Sequence, residues 1–175
     1  VDTDLRWSIV MALSSVKTEH EGLIGAELKR DPTDQGHRYA AAARAARPTA
    51  QAKAEAWSEI IENTDLPIAT MEAVMSGFYR YDQRALAEPY GAKYFAALDR
   101  IWTSRDIEVG LSFTRMMYPA VVIGDDTVAV TDRHLRGQSV PGPIRRVLIE
   151  AKDGMLRAMR ARAVDTAAEK VPAQR

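Results

Sequence analysis

Arg38-Tyr39-Ala40-Ala41-Ala42-Ala43-Arg44-Ala45-Ala46-Arg47-Pro48-Thr49-Ala50-Gln51-Ala52-Lys53-Ala54-Glu55-Ala56-Trp57 is the stretch whose reading decides the fold. Alanine is the strongest helix former, and two alanine-dense runs flank a turn signal, Arg47-Pro48-Thr49. Asp34 stands where a cap belongs before the first run, and Thr49 before the second. The reading is two helices, near 34–46 and 49–63, joined by a short antiparallel turn. Methyl-only faces allow close approach, so this hairpin is expected to be tight and central, with Trp57, Ile60 and Ile61 adding bulk beyond it.

Outward from this hairpin the same spacing recurs. Leu5, Ile9, Ala12, Leu13 and Val16 share one helical face, as do Ile68, Met71, Val74, Met75 and Phe78. Leu86, Tyr90, Tyr94, Leu98, Ile101 and Trp102 form a third stripe, and Ile144, Val147, Leu148, Ala151, Met155, Ala158 and Met159 a fourth. The best strand candidate, Ala120 to Val130, is interrupted by Gly124-Asp125-Asp126. Asp65 before Leu66-Pro67, Asp82 and Ser104 are read as further caps, and Pro89 is expected to kink or split its helix. The helices fall near 4–16, 19–30, 34–46, 49–63, 66–78, 82–103, 105–118, 125–136 and 143–163. That is an all-α chain of about nine or ten helices, and short links make it a superhelix of stacked antiparallel hairpins, like a degenerate HEAT or armadillo array. Residues 1–163 are read as one helical-repeat-like domain and 164–175 as a flexible tail.

The bulk numbers narrow the function classes. The chain has 175 residues, 46% of them hydrophobic and 27% charged, an ordinary balance for one packed domain. Lys plus Arg and Asp plus Glu number 24 each, so the formal charge is zero. A nucleic-acid partner calls for a basic excess or stripe, and neither is present. No cysteine occurs, so neither a disulfide frame nor a thiolate is available, which fits a cytoplasmic protein. No apolar run approaches the roughly 18 residues of a membrane span, so no membrane partner is expected. The start, Val1-Asp2-Thr3-Asp4, lacks both Met and a signal pattern, and the chain is read as part of a longer protein.

The search for chemistry returns mostly negatives. His20-Glu21-Gly22-Leu23-Ile24 starts like the zinc peptidase helix His-Glu-x-x-His, which needs two imidazoles one turn apart. Ile24 stands at the second position and cannot ligate a metal; His37 and His134 are not at ligand spacing. His20 and Glu21 are therefore read as a helix start. No glycine-rich phosphate loop occurs. Asp125-Asp126 suits a helix N-terminus, and Arg157, Arg160 and Arg162 a solvated C-terminal turn.

The alanine hairpin with its Pro-Thr turn, continued through Ala52-Lys53-Ala54-Glu55-Ala56-Trp57, closely resembles the C-terminal helical domain of the aminopeptidase N family, zinc metallopeptidases of the gluzincin type, with actinobacterial members nearest. The resemblance runs back through Leu5-Arg6-Trp7 and Glu27-Leu28-Lys29-Arg30-Asp31-Pro32-Thr33. It runs forward through Leu66-Pro67, Gly77-Phe78, Asp82-Gln83-Arg84, Glu88-Pro89-Tyr90, Tyr94-Phe95, Ile101-Trp102 and Thr131-Asp132.

That resemblance implies a non-catalytic cap domain. In the family, zinc and its ligands belong to an upstream catalytic domain, so no catalytic residue, metal ligand or cofactor is carried over here. The implied partners are the upstream catalytic domain of the same polypeptide and, through the parent enzyme, peptide substrates. The cap would enclose the active-site chamber and limit which peptides enter. Family members present polar groups from this domain towards the peptide's far end, which makes Arg80, Tyr81 and Arg84 the candidate peptide contacts. The alternative is a free-standing helical-repeat module that binds a peptide or protein on its concave face.

Overall fold

The computed structural model describes residues 2–16, 21–137 and 140–169, with side chains through 166. His20 lies outside the described residues. Ten α-helices and one 3-10 turn make up the described residues, and no strand occurs among them. They are α1 (Thr3–Val16), α2 (Glu21–Arg30), α3 (Asp34–Ala45), α4 (Ala50–Glu62), α5 (Ile68–Phe78), the 3-10 turn Tyr81–Gln83, α6 (Arg84–Ala87), α7 (Pro89–Ser104), α8 (Ile107–Met116), α9 (Asp125–Leu135) and α10 (Gly142–Glu169).

The punctuation acts only in part as the sequence suggests. Pro89 opens α7, where its missing N–H costs nothing, and so separates α6 from α7. The Thr49 hydroxyl accepts from the Ala52 N–H at 3.0 Å and caps α4. At α3 the cap is Thr33, whose hydroxyl accepts from the Gly36 N–H at 3.1 Å; Asp34 is already helical, one residue inside the expected cap. Asp65, Asp82 and Ser104 cap nothing. Asp65 donates its N–H to the Asn63 side chain, Asp82 sits inside the 3-10 turn, and Ser104 ends α7 with its hydroxyl on the Arg100 carbonyl. Helix α10 runs on to Glu169, so 164–169 is helical; 170–175 lie outside the described residues.

Packing follows a regular order. Helix α3 packs on α1 and α5, α5 on α3 and α8, and α8 on α5 and α10, while α2, α4, α7 and α9 fill the returns. The main core gathers Ile60 and Ile61 of α4, Met71, Met75 and Phe78 of α5, Tyr94 and Leu98 of α7, Phe113 of α8 and Leu148 of α10. Trp57 packs against it, half-buried, 5.3 Å from the ring of Tyr90, 6.2 Å from Phe78 and 6.3 Å from Phe113. A second, smaller core joins α1, α2 and α3 through Trp7, Val10, Ile24, Ala40 and Ala43.

Two expectations are corrected. The alanine face of α3 does support the closest helix approach, but its partner is α5 rather than α4. Gly77 faces the Ala42 carbonyl so closely that an added Cβ would overlap it, and would lie 3.1 Å from the Ala45 methyl. Periodicity finds a smooth face and says nothing about which neighbour uses it. The second correction is α1. The stripe Leu5, Ile9, Leu13 and Val16 is exposed, and the buried face is Trp7, Val10, Ser14 and Ser15. Trp7 reverses the expectation because its indole N–H donates to the Asp31 carboxylate at 2.9 Å, which draws that side of α1 onto the α2–α3 link.

Candidate functional site

The segment from Tyr79 to Arg84, which links α5 to α6, carries the three candidate peptide contacts. It is anchored by a polar node where three helices end. Lys53 of α4 is completely buried, and its ammonium donates to the carbonyls of Ala45 and Phe78, both at 2.7 Å. The Gln83 amide nitrogen donates to the carbonyls of Ser15 at 2.7 Å and Ala46 at 2.8 Å. These carbonyls belong to the C-terminal ends of α1, α3 and α5, where no backbone N–H further along the helix is left to donate to them. The ends therefore meet at one place, and the three helices run in the same direction. Their dipoles concentrate negative potential there, which favours a cation. Burial, helped by the charge of Arg80 and opposed by Asp82, still pulls the Lys53 pKa down to about 8.

The three candidates part company around this node. Arg80 is half-buried, and its Nε is enclosed without a hydrogen-bond partner among the described residues. Tyr81 points outward with 75% of its surface exposed. Arg84 opens α6, is exposed, and has no ion pair among the described residues. Tyr81 reaches a groove of about 580 Å³ between the segment, α8, the α8–α9 link and α10. Ile123, Val147 and Met155 give that groove an apolar floor, and Arg115 and Glu150 place one charge of each sign on its wall. Arg80 and Arg84 are not among its lining residues.

No group of three or more His, Cys, Asp or Glu able to hold a metal occurs among the described residues. His134 Nε2 lies 3.3 Å from the Asp99 carboxylate, a single pair at the α7–α9 contact. Glu21 opens α2 and pairs with Arg44 at 2.9 Å and Arg47 at 3.5 Å, a structural use of the residue that resembles a general base in sequence.

The sequence reading missed the node. Lys53 shares a face with Ala56 and Ile60, at spacings of three and seven, so its periodicity carried the signal of burial. Gln83 carried none, because its partners lie 37 and 68 residues away. The motif residues Arg6, Trp7, Glu27, Asp31 and Thr33 form a second network. Arg6 pairs with Glu27 at 2.7 Å, and Asp31 accepts from Thr33 at 2.6 Å and from Trp7. The Thr33 and Trp7 hydrogen bonds hold the Asp31 carboxyl below its ordinary pKa. Those motif residues thus fasten α1 to the α2–α3 link.

The comparisons agree with this architecture. Residues 1–157 match the family described as the ERAP1-like C-terminal domain. The chain is similar to aminopeptidase N of Streptomyces lividans, 45% identical over 168 residues, which is 96% of this chain and 20% of that relative. The chain thus spans about a fifth of that relative's length. A match over nearly the whole chain, on an all-helical body with its motif residues at helix junctions, means that the chain belongs to the ERAP1-like C-terminal domain family.

Proposed function

We propose that this chain is the non-catalytic C-terminal cap of a zinc aminopeptidase that removes amino acids from peptide N-termini. In this reading the cap packs over the catalytic domain of the same polypeptide, encloses the active-site chamber and limits peptide entry. The supporting observation is the match to a C-terminal domain family by a chain similar to one fifth of an aminopeptidase N. Zinc has no donor set among the described residues, so no step of hydrolysis is routed through them. Their contribution is shape and contact. In this reading the groove beside Tyr81 takes the far end of a peptide, and Arg80 and Arg84, which flank Tyr81 in the same link but do not line the groove, are further candidate contacts. No helix among the described residues is long and apolar enough to cross a membrane.

The test compares the 175-residue chain with the full polypeptide that carries it. The expected result is zinc-dependent release of N-terminal amino acids by the full polypeptide and neither zinc binding nor turnover by the chain alone. Strong turnover by the chain alone, or a full polypeptide inactive towards aminoacyl and peptide substrates, would overturn the proposal.

A further inference from the structure

Helix α1 has two apolar faces and only one of them is used. Trp7, Val10 and Ser14 bury the side that meets α2 and α3. Leu5, Ile9, Leu13 and Val16, centred about 140° round the helix at 100° per residue, are 53%, 48%, 39% and 60% exposed. From Trp7 to Val16 the helix has no charged residue at all. A helix facing water on one side carries charges there, whereas one apolar all round is buried. The other exposed large apolar side chains outside this helix, Leu23, Tyr81, Ile107, Ile149 and Val164, are spread over four other elements. Scattered exposure of that kind is ordinary; a stripe at spacings of four, four and three is not.

The packing order indicates what covers the stripe. Within the row α1, α3, α5, α8 and α10, each inner helix packs on a row neighbour at either side. Helix α1 has such a neighbour on one side only, α3. Its stripe is therefore the place where the row continues. The relative this chain matches is about five times longer, and the matched family is a C-terminal domain, so the remaining length precedes the matched part. We infer that an amphipathic helix of the parent polypeptide, N-terminal to α1, packs its apolar face on Leu5, Ile9, Leu13 and Val16 and extends the row by one member. The inference rests on the reading of this chain as the C-terminal part of a longer polypeptide, and not on peptidase activity.

Thiol labelling of the full polypeptide tests it. Ile9→Cys and, separately, Leu13→Cys report the stripe, and Ser58→Cys on the exposed side of α4 reports free access. This chain has no cysteine of its own, and peptide mapping locates the labelled position. The expected result is alkylation of both stripe thiols at least about 10-fold slower than at Ser58→Cys in the native protein, with equal rates in denaturant. Equal rates in the native protein would overturn the inference. Protection that disappears on dilution would also overturn it, because a second copy of the polypeptide would then be the cover. An inactive polypeptide with the stripe thiols protected would count against the aminopeptidase reading while leaving this inference standing.

Discussion

The ammonium of Lys53 donates to the Phe78 carbonyl at 2.7 Å and so ties the C-terminal end of α5 to α4. Its second bond, to Ala45 at 2.7 Å, reaches the end of α3. One buried side chain thus satisfies the terminal carbonyls of two neighbouring helices. Gln83 does the same for α1 and α3, and the exposed segment with Tyr81 hangs from this pair of anchors.

Replacing Lys53 by methionine keeps the volume and removes both bonds. Two buried carbonyls lose their partner, at about 1–3 kcal/mol each, and relief from burying a charge offsets part of that. Lys53→Met is expected to lower unfolding stability by about 2–4 kcal/mol at neutral pH, as measured by denaturant titration.

The same residue sets a pH dependence. Its pKa is about 8 in the folded protein against an ordinary 10.5. Below pH 8 both states are protonated, and the folded state bears the cost of the buried charge. Between 8 and 10.5 the unfolded chain holds the proton and the folded one does not, so stability rises with pH, by on the order of 2–3 kcal/mol. Tyr79, Tyr94 and Tyr118, whose pKa values burial pushes up, act in the opposite sense above pH 10. Chemical denaturation from pH 7 to 10 should show the rise in the parent sequence and its absence in Lys53→Met.

Much of this was legible in the sequence. The stripes of α5, α7 and α10 are buried where the spacing of Met71, Tyr94 and Leu148 placed them, and Pro89 separates two helices. Periodicity reports the polarity of a face but not the identity of its neighbour. That is why the alanines of α3 meet Gly77 rather than α4, and why the Leu5–Val16 stripe lies open while Trp7 points inward. Of the candidate site, Tyr81 was reachable as an exposed aromatic in a link. The groove beside it was not, because its walls come from residues 115–158, brought together only by the packing of α8 and α10.

Glycine at position 77 is a packing requirement. Gly77→Ala adds helix propensity worth up to about 1 kcal/mol but forces α5 away from the Ala42 backbone, which cannot yield as a flexible side chain would. A net loss of about 1–3 kcal/mol is expected. Gly25→Ala in α2 meets nothing within 4 Å and should gain up to about 1 kcal/mol. Paired thermal melts read the opposite signs.

Asp31 stabilises α1 only as a carboxylate. Its pKa is held below the ordinary 3.8 by the Thr33 hydroxyl first and the Trp7 indole second. A depressed folded pKa contributes stability above the unfolded value, and that contribution is lost as pH falls through the folded one. Asp31→Asn should therefore be less stable than the parent at pH 7, with the gap closing as pH falls below 3.8. Thermal melts from pH 7 to 2.5 measure the gap.

At Tyr81 the proposed peptide contact can be separated from folding. It is 75% exposed and packs in neither core, so its truncation should change stability by less than about 0.5 kcal/mol. An aromatic side chain on the wall of an apolar groove still offers a large rigid surface to a bound peptide. On the proposed reading, in which only long peptides reach the groove, Tyr81→Ala in the full polypeptide should raise KM for long peptides by about 3–10-fold, equivalent to about 0.7–1.4 kcal/mol, and leave short aminoacyl substrates unchanged. Arg84→Ala should do less, because a fully solvated charge is screened. Equal effects of Tyr81→Ala on long and short substrates would place the peptide elsewhere on the cap.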